Sequence, residues 1–81
     1  MSAQTEIETI LTEQLGVDRA DVSADKSLAE DLNADSLDLT ELVMTLEERF
    51  SIEVPQSEAE KLVTVGDIVR YIDQRRKPLA Q

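Results

Sequence analysis

The sequence contains no cysteine and no histidine, and its 81 residues include only one tyrosine and one phenylalanine. Without cysteine, no disulfide or thiolate metal site supports the fold. Without histidine or cysteine, Ser-His and Cys-His nucleophile pairs are excluded. We therefore predict that the protein is not an enzyme.

Long apolar segments are also absent. No stretch approaches the roughly 20 apolar residues of a membrane-spanning helix. Residues 1–6 lack the charged and apolar regions of a signal peptide. We therefore expect a cytoplasmic protein that does not insert into membranes.

Basic residues are scarce and unevenly distributed. Eighteen acids against eight bases give a formal net charge of −10. Residues 27–48 hold seven acids and no base, whereas four of the eight bases lie at or after Arg70. This charge disfavours nucleic acid and anionic lipid as partners and favours basic protein surfaces.

Hydrophobic periodicity predicts an all-α fold, a small four-helix bundle with three longer helices and one short helix. The predicted helices cover residues 2–15, 36–50, 57–62 and 65–74. Residues 17–34 form a long first loop, and four apolar side chains are expected to hold it on the core: Val17, Val22, Leu28 and Leu32. We predict one monomeric domain over residues 1–81, ordered over about 3–75, with a flexible basic tail at 75–81.

Short polar residues mark the expected helix ends. Gly16 supplies the left-handed residue that ends the first helix. In the fourth helix, Ile68, Val69 and Ile72 are expected to face inward, with Tyr71 at the margin. The predicted caps and their partners are, in chain order, Thr5 with Glu8 (or Ser2 as a competing cap), Asp35 with Asp38, and Thr64 with Asp67.

The second helix carries two apolar stripes. The first is the predicted core face, formed by Leu39, Leu42, Val43, Leu46 and Phe50. The second, which we call the acidic stripe, lies roughly opposite and consists of Leu37, Glu41, Met44 and Glu48. We interpret it as a docking face with small apolar anchors. The simpler alternative is that its two apolar residues are exposed without a function.

Ser36 begins this helix within an acidic segment, and the segment is compatible with three roles to different degrees: a calcium loop, a hydrolytic site or a plain helix start. Asp31, Asn33 and Asp35 match the first three ligand positions of an EF-hand calcium loop. The match fails afterwards, because Ser36 stands where the loop requires Gly and Leu42 stands where it requires Glu. We therefore predict no metal site. Nearby carboxylates disfavour the oxyanion of a hydrolase. A plain helix-start serine is the remaining alternative.

The segment Ala34-Asp35-Ser36-Leu37-Asp38 resembles the attachment motif of the acyl carrier proteins. The resemblance to that family extends over residues 3–74. Apart from the attachment motif, the segments that carry it are residues 41–44, 46–50, 52–55, 59–62 and 64–67. Asn33 stands where the fatty-acid branch usually has Gly, but Asn also adopts a left-handed conformation. Leu39-Thr40 replaces the common Thr-Val pair, and these departures leave the pathway open.

The resemblance implies that Ser36, within a motif that includes Asp35 and Leu37, carries 4′-phosphopantetheine from coenzyme A. A Mg²⁺-dependent phosphopantetheinyl transferase would attach it, and its thiol would carry acyl groups as thioesters. The residues implied in partner binding are Leu37, Asp38, Glu41, Met44, Glu47 and Glu48. Those implied in an acyl-chain cavity are Leu42, Leu46, Val54, Leu62 and Ile68.

The expected partners are acyl-transfer and fatty-acid or polyketide synthesis enzymes with basic docking patches. The leading hypothesis is a carrier of fatty-acid synthesis. Two alternatives stay open: a carrier dedicated to polyketide or other specialised acyl transfer, and an unmodified acidic adaptor protein. A peptidyl or aryl carrier is disfavoured by the acidity of residues 27–48.

Overall fold

The structure is a computed structural model that describes residues 3–75. Four helices follow one another, α1 (Ala3–Leu15), α2 (Ser36–Phe50), α3 (Gln56–Ala59) and α4 (Val65–Arg75). Over residues 3–75 there is no strand, and one isolated bridge joins Ser27 to Thr64. The predicted all-α fold with three longer helices and one short helix is confirmed.

The core is built from apolar faces of the three longer helices. α1 packs against both α2 and α4. The most deeply buried helical side chains are Ile7, Ile10 and Leu11 of α1, Leu42 and Leu46 of α2, and Val65, Ile68 and Ile72 of α4. Removing this apolar surface from water is the main stabilising term.

The first loop is held on this core, as predicted. Val22, Leu28 and Leu32 are buried, and Val17 is partly buried against the same cluster. A short 3₁₀ turn at Arg19–Asp21, which the sequence analysis missed, lies within the loop. These apolar contacts explain how a loop of this length stays ordered.

Backbone hydrogen bonds join the loop to the start of α4. Gly66 N donates to Ala24 O at 2.9 Å, and Val65 N donates to Lys26 O at 3.0 Å. In the opposite direction, Leu28 N donates to Val63 O at 2.9 Å. The loop and the α3–α4 connection therefore form one hydrogen-bonded unit next to the start of α2.

The start of α1 differs from the prediction at Thr5. Thr5 lies inside the helix, where its carbonyl oxygen accepts from the Thr9 hydroxyl at 3.1 Å, so it is not the cap. The alternative cap, Ser2, lies outside the described residues. At the other end, Gly16 has a φ of 68°, which confirms the predicted left-handed residue.

The third helix is earlier and shorter than predicted. It was expected at residues 57–62, but it covers Gln56–Ala59. Pro55 supplies its start, because the Pro55 carbonyl oxygen accepts from Ala59 N at 2.9 Å. After Ala59 the bonds tighten to a three-residue spacing, as in Leu62 N to Ala59 O, and this ends the α-helix.

Two details at the C-terminal end also differ. Tyr71, expected at the margin, is buried, whereas Val69 is only partly buried. The Tyr71 hydroxyl donates to Glu53 O at 3.3 Å, and the Arg75 guanidinium lies over its ring, 4.8 Å from the ring centre. The predicted flexible tail lies outside the described residues after Arg75.

Candidate functional site

Ser36 is the first residue of α2, and its side chain is exposed. A reciprocal capping box precedes it, as predicted. The Asp35 carboxylate accepts from Asp38 N at 2.9 Å, and the Asp38 carboxylate accepts from Asp35 N at 3.2 Å. These two bonds stabilise the helix start, at which Ser36 lies exposed.

The chain reaches Ser36 through a left-handed residue. Asn33 has a φ of 60°, so it adopts the conformation expected of the glycine it replaces. Ala34 follows it, is buried, and donates its backbone N–H to Leu28 O at 2.9 Å. Asn33 therefore turns the chain from the buried loop to the exposed start of α2.

The acidic stripe of α2 lies on the surface. Leu37 is 64% exposed and Met44 is 54% exposed, both large fractions for apolar side chains. Glu41 and Glu48 are exposed beside them. The structure thus presents two apolar side chains within a row of carboxylates that begins beside Ser36.

An apolar cleft of about 520 Å³ extends inward from this end of α2. This volume is within the roughly 300–1,000 Å³ typical of ligand pockets. Ser36 and Met44 line it at the surface, and all five residues proposed for an acyl-chain cavity line it further in: Leu42, Leu46, Val54, Leu62 and Ile68. The cleft therefore brings Ser36 together with the proposed cavity residues.

Some residues of the proposed site lie outside the cleft, and other residues line the cleft without having been predicted to do so. Leu37, Glu41 and Glu48 do not line the cleft, whereas Glu47 does. The lining residues that the sequence analysis did not assign to it are Leu28, Leu39, Thr40, Val43, Gln56, Ala59 and Glu60. Thr40 follows Ser36 by one helical turn, a spacing that the sequence shows. The position of α3 against α2 has no such local signal.

One exposed apolar residue was also missed. Val63 is 55% exposed and lies in the connection between α3 and α4. No periodic pattern marks it, because it lies outside the helices.

Comparison with known proteins identifies the class of this site. A family model described as a phosphopantetheine attachment site matches residues 5–72. An acyl carrier protein of Chlamydia trachomatis serovar D is 54% identical over 76 residues, covering 94% of this chain and 99% of that protein. An acyl carrier protein of Helicobacter pylori is 47% identical over 76 residues, covering 94% and 97%.

Solved structures agree with this result. A candidate acyl carrier protein from Mycobacterium tuberculosis superposes with a TM-score of 0.82 at 31% identity, covering 88% of this chain and 95% of that one. A second, from Anaplasma phagocytophilum, gives a TM-score of 0.81 at 39% identity, covering 88% and 84%. The chain therefore belongs to the acyl carrier protein family.

Membership determines the general role of the protein. It is a carrier and not a catalyst, and the family's attachment domain implies a covalently bound 4′-phosphopantetheine. It also implies interaction with a phosphopantetheinyl transferase and with acyl-transfer enzymes. These findings exclude the unmodified adaptor as an alternative.

Residues 3–75 lack two further features. None of the helices in this range combines the length and hydropathy needed to cross a bilayer. In the same range, no group of three or more acidic side chains is arranged to hold a metal ion.

Proposed function

We propose that Ser36 is the residue that carries 4′-phosphopantetheine. The observation that supports this most directly is its position as an exposed hydroxyl at the mouth of the apolar cleft. In the transfer, Ser36 Oγ bonds to the phosphorus of the pantetheine phosphate, 3′,5′-ADP leaves, and the transferase takes the proton. Asp35 and Asp38 keep the helix start in place during this step, and Leu37 lies exposed beside it.

The attached group supplies a terminal thiol that holds acyl groups as thioesters. The apolar cleft is the proposed site for the acyl chain, because Leu42, Leu46 and Ile68 offer a buried apolar wall. Val54 and Leu62, from the segment of chain that joins α2 to α4, also line the cleft. Burial there would remove the chain from water and shield the thioester.

The acidic stripe, together with Asp38, is the proposed docking face for partner enzymes. Its carboxylates would steer the protein towards basic patches, and its exposed Leu37 and Met44 would provide apolar contact. Glu47 also stays a proposed partner-binding residue, although it is partly buried.

The proposed pathway is fatty-acid synthesis in the cytoplasm, in which one acyl carrier domain over residues 1–81 presents the acyl groups to partner enzymes. The two bacterial relatives above are named acyl carrier protein without a pathway qualifier. A carrier dedicated to polyketide or other specialised acyl transfer is the alternative. Identifying the acyl groups on protein isolated from its native cell separates the two.

The attachment site is tested by intact mass spectrometry after incubation with coenzyme A, Mg²⁺ and a broad-specificity phosphopantetheinyl transferase. The wild-type protein should gain the mass of one phosphopantetheine group, and Ser36→Ala should gain none. Ser57→Ala is the matched control, since Ser57 is also exposed near the start of a helix, and it should load fully. A gain that persists in Ser36→Ala would reject the assignment.

A further inference from the structure

Glu47 occupies a different environment from the other carboxylates of α2. It is partly buried and lines the cleft, whereas Glu41 and Glu48 are exposed and do not. An α-helix turns about 100° per residue, so Glu47 and its neighbour Glu48 point in different directions. The Glu47 carboxylate reaches the backbone of Val54, which lies just before α3 in the chain.

Three hydrogen bonds join Glu47 to the segment that follows α2. Its carbonyl oxygen accepts from the N–H of Ser51 and, at 3.2 Å, from the N–H of Ile52. Its side-chain Oε2 accepts from Val54 N at 2.8 Å. Ser51 is left-handed, with a φ of 55°, and this turns the chain back towards Glu47. One residue of α2 thus determines the path of residues 51–54.

This segment forms part of the cleft wall. Val54 is buried and lines the cleft, and Gln56 and Ala59 of α3 line it immediately afterwards. A hydrogen bond from a backbone N–H to a carboxylate is stronger than one to a neutral acceptor. Without the Glu47 carboxylate, the N–H of a buried residue would lose its acceptor, and the segment would have to move to regain one.

We infer that Glu47 is a positioning residue for the acyl-chain cleft, and that its carboxylate holds the wall formed by Val54 and α3 against α2. This inference rests on the proposed function, because it assumes that the cleft takes the acyl chain. Glu47 does not react with the cargo. It determines how closely the wall surrounds an apolar chain, and therefore how well a thioester with a long chain is shielded.

The first test needs no cargo and uses the unmodified full chain. In Glu47→Ala, the Val54 amide should exchange its hydrogen with solvent about tenfold faster than in wild type, since one hydrogen bond has been lost. Glu47→Gln should exchange at an intermediate rate, because its neutral amide oxygen also accepts from Val54 N but more weakly than a carboxylate does. Glu13→Ala is the control, as Glu13 is an exposed acid of α1. Unchanged exchange in Glu47→Ala would overturn the inference.

The second test uses protein loaded with acetyl or octanoyl phosphopantetheine. The rate of thioester cleavage by hydroxylamine is measured for each. Glu47→Ala should raise the octanoyl rate about three- to tenfold and leave the acetyl rate near that of wild type, because a two-carbon chain is too short to need the wall. Glu47→Gln should retain part of the shielding, because its amide oxygen is a weaker acceptor, and Glu13→Ala should behave as wild type.

A role in global stability alone would lower the melting temperature and leave the octanoyl-to-acetyl ratio unchanged. That result would overturn the inference. If the wild-type protein gains no mass with the transferase, the proposed function fails instead. The Val54 exchange test then still decides whether Glu47 holds the wall.

Discussion

The carboxylates of Asp35 and Asp38 each accept a hydrogen bond from the backbone N–H of the other residue. Ser36 lies between them in sequence and begins α2. The same two bonds that start the helix therefore also determine where the Ser36 hydroxyl is presented. The stability of the helix start and the exposed position of the proposed attachment site therefore depend on the same two hydrogen bonds.

Asp35→Ala should destabilise the unmodified protein. Loss of an N-cap side chain costs about 1 kcal/mol. For a domain of this size that corresponds to a melting temperature lower by about 4–8 °C. Asp35→Ser should retain most of the stability, because its hydroxyl also accepts from the Asp38 N–H. Equal melting temperatures for the Ala variant and wild type would contradict the capping role.

The cap of α4 should make stability depend on pH. The Thr64 N–H, which donates to the Asp67 carboxylate at 3.1 Å, holds the pKa of Asp67 below its ordinary value, and burial opposes this only in part. Such a carboxyl group adds stability above its unfolded pKa of about 3.9, and this stability is lost as pH falls through the folded value. Asp67→Asn should therefore be destabilising at pH 7 and progressively less so below about pH 4.

Thermal unfolding of the wild-type protein and of Asp67→Asn from pH 7 to pH 3 measures this effect. Asp73→Asn is the control, because it removes the same charge from an exposed site in the same helix without removing a cap. The difference between wild type and Asp67→Asn should narrow at low pH. A constant difference across this range would show that the Asp67 charge does not contribute.

Gly66→Ala should destabilise the protein although Ala is the better helix former. A Cβ at this position would lie 3.0 Å from Ala24 O, and that oxygen already accepts from Gly66 N. The neighbouring bond from Val65 N to Lys26 O limits how far the loop can move away. Overpacking of about 1–3 kcal/mol should exceed the helix-propensity gain of about 1 kcal/mol. A higher melting temperature for Gly66→Ala than for wild type would show that the loop moves enough to accommodate the added methyl group.

Glu48→Lys should weaken binding to an acyl-transfer partner such as a ketosynthase without unfolding the protein. Glu48 is exposed at the end of the acidic stripe, so reversing its charge opposes a basic docking patch. We expect an increase in Kd of about tenfold at low salt, and less at high salt because exposed charges are screened. Glu13→Lys, an equal charge change on α1, is the control. If Glu48→Lys bound the partner with the same affinity and the same salt dependence as wild type, the proposed docking face would be refuted.

Added salt or Mg²⁺ should stabilise the free protein. Residues 1–69 hold seventeen acids and four bases. Three ion pairs form within residues 3–75, which join Glu8 to Arg19, Glu58 to Lys61 and Asp67 to Arg70. Repulsion among the remaining acids should fall as ionic strength rises. The melting temperature should increase with NaCl, and should increase less in a Glu41→Gln/Glu48→Gln variant. A melting temperature indifferent to salt would contradict this.

Most of the helical architecture could be predicted from the sequence, because its signals are local. The capping pairs Asp35–Asp38 and Thr64–Asp67 lie three residues apart, and the start of α2 was predicted to the residue. Where local signals competed, prediction was weaker. Thr5 has a capping sequence but lies inside α1, and α3 begins at Gln56 because the Pro55 carbonyl starts it.

The sequence by itself determined the all-α fold, the exposed Ser36 at a capped helix start, and the acidic stripe beside it, since each depends on helical periodicity or on neighbours within one turn. Only the tertiary structure decided the shape of the cleft and the environment of Glu47. The Glu47–Val54 bond and the placement of α3 at the cleft depend on how the chain turns at Ser51. Such contacts arise from packing between elements, and helical periodicity carries no information about them.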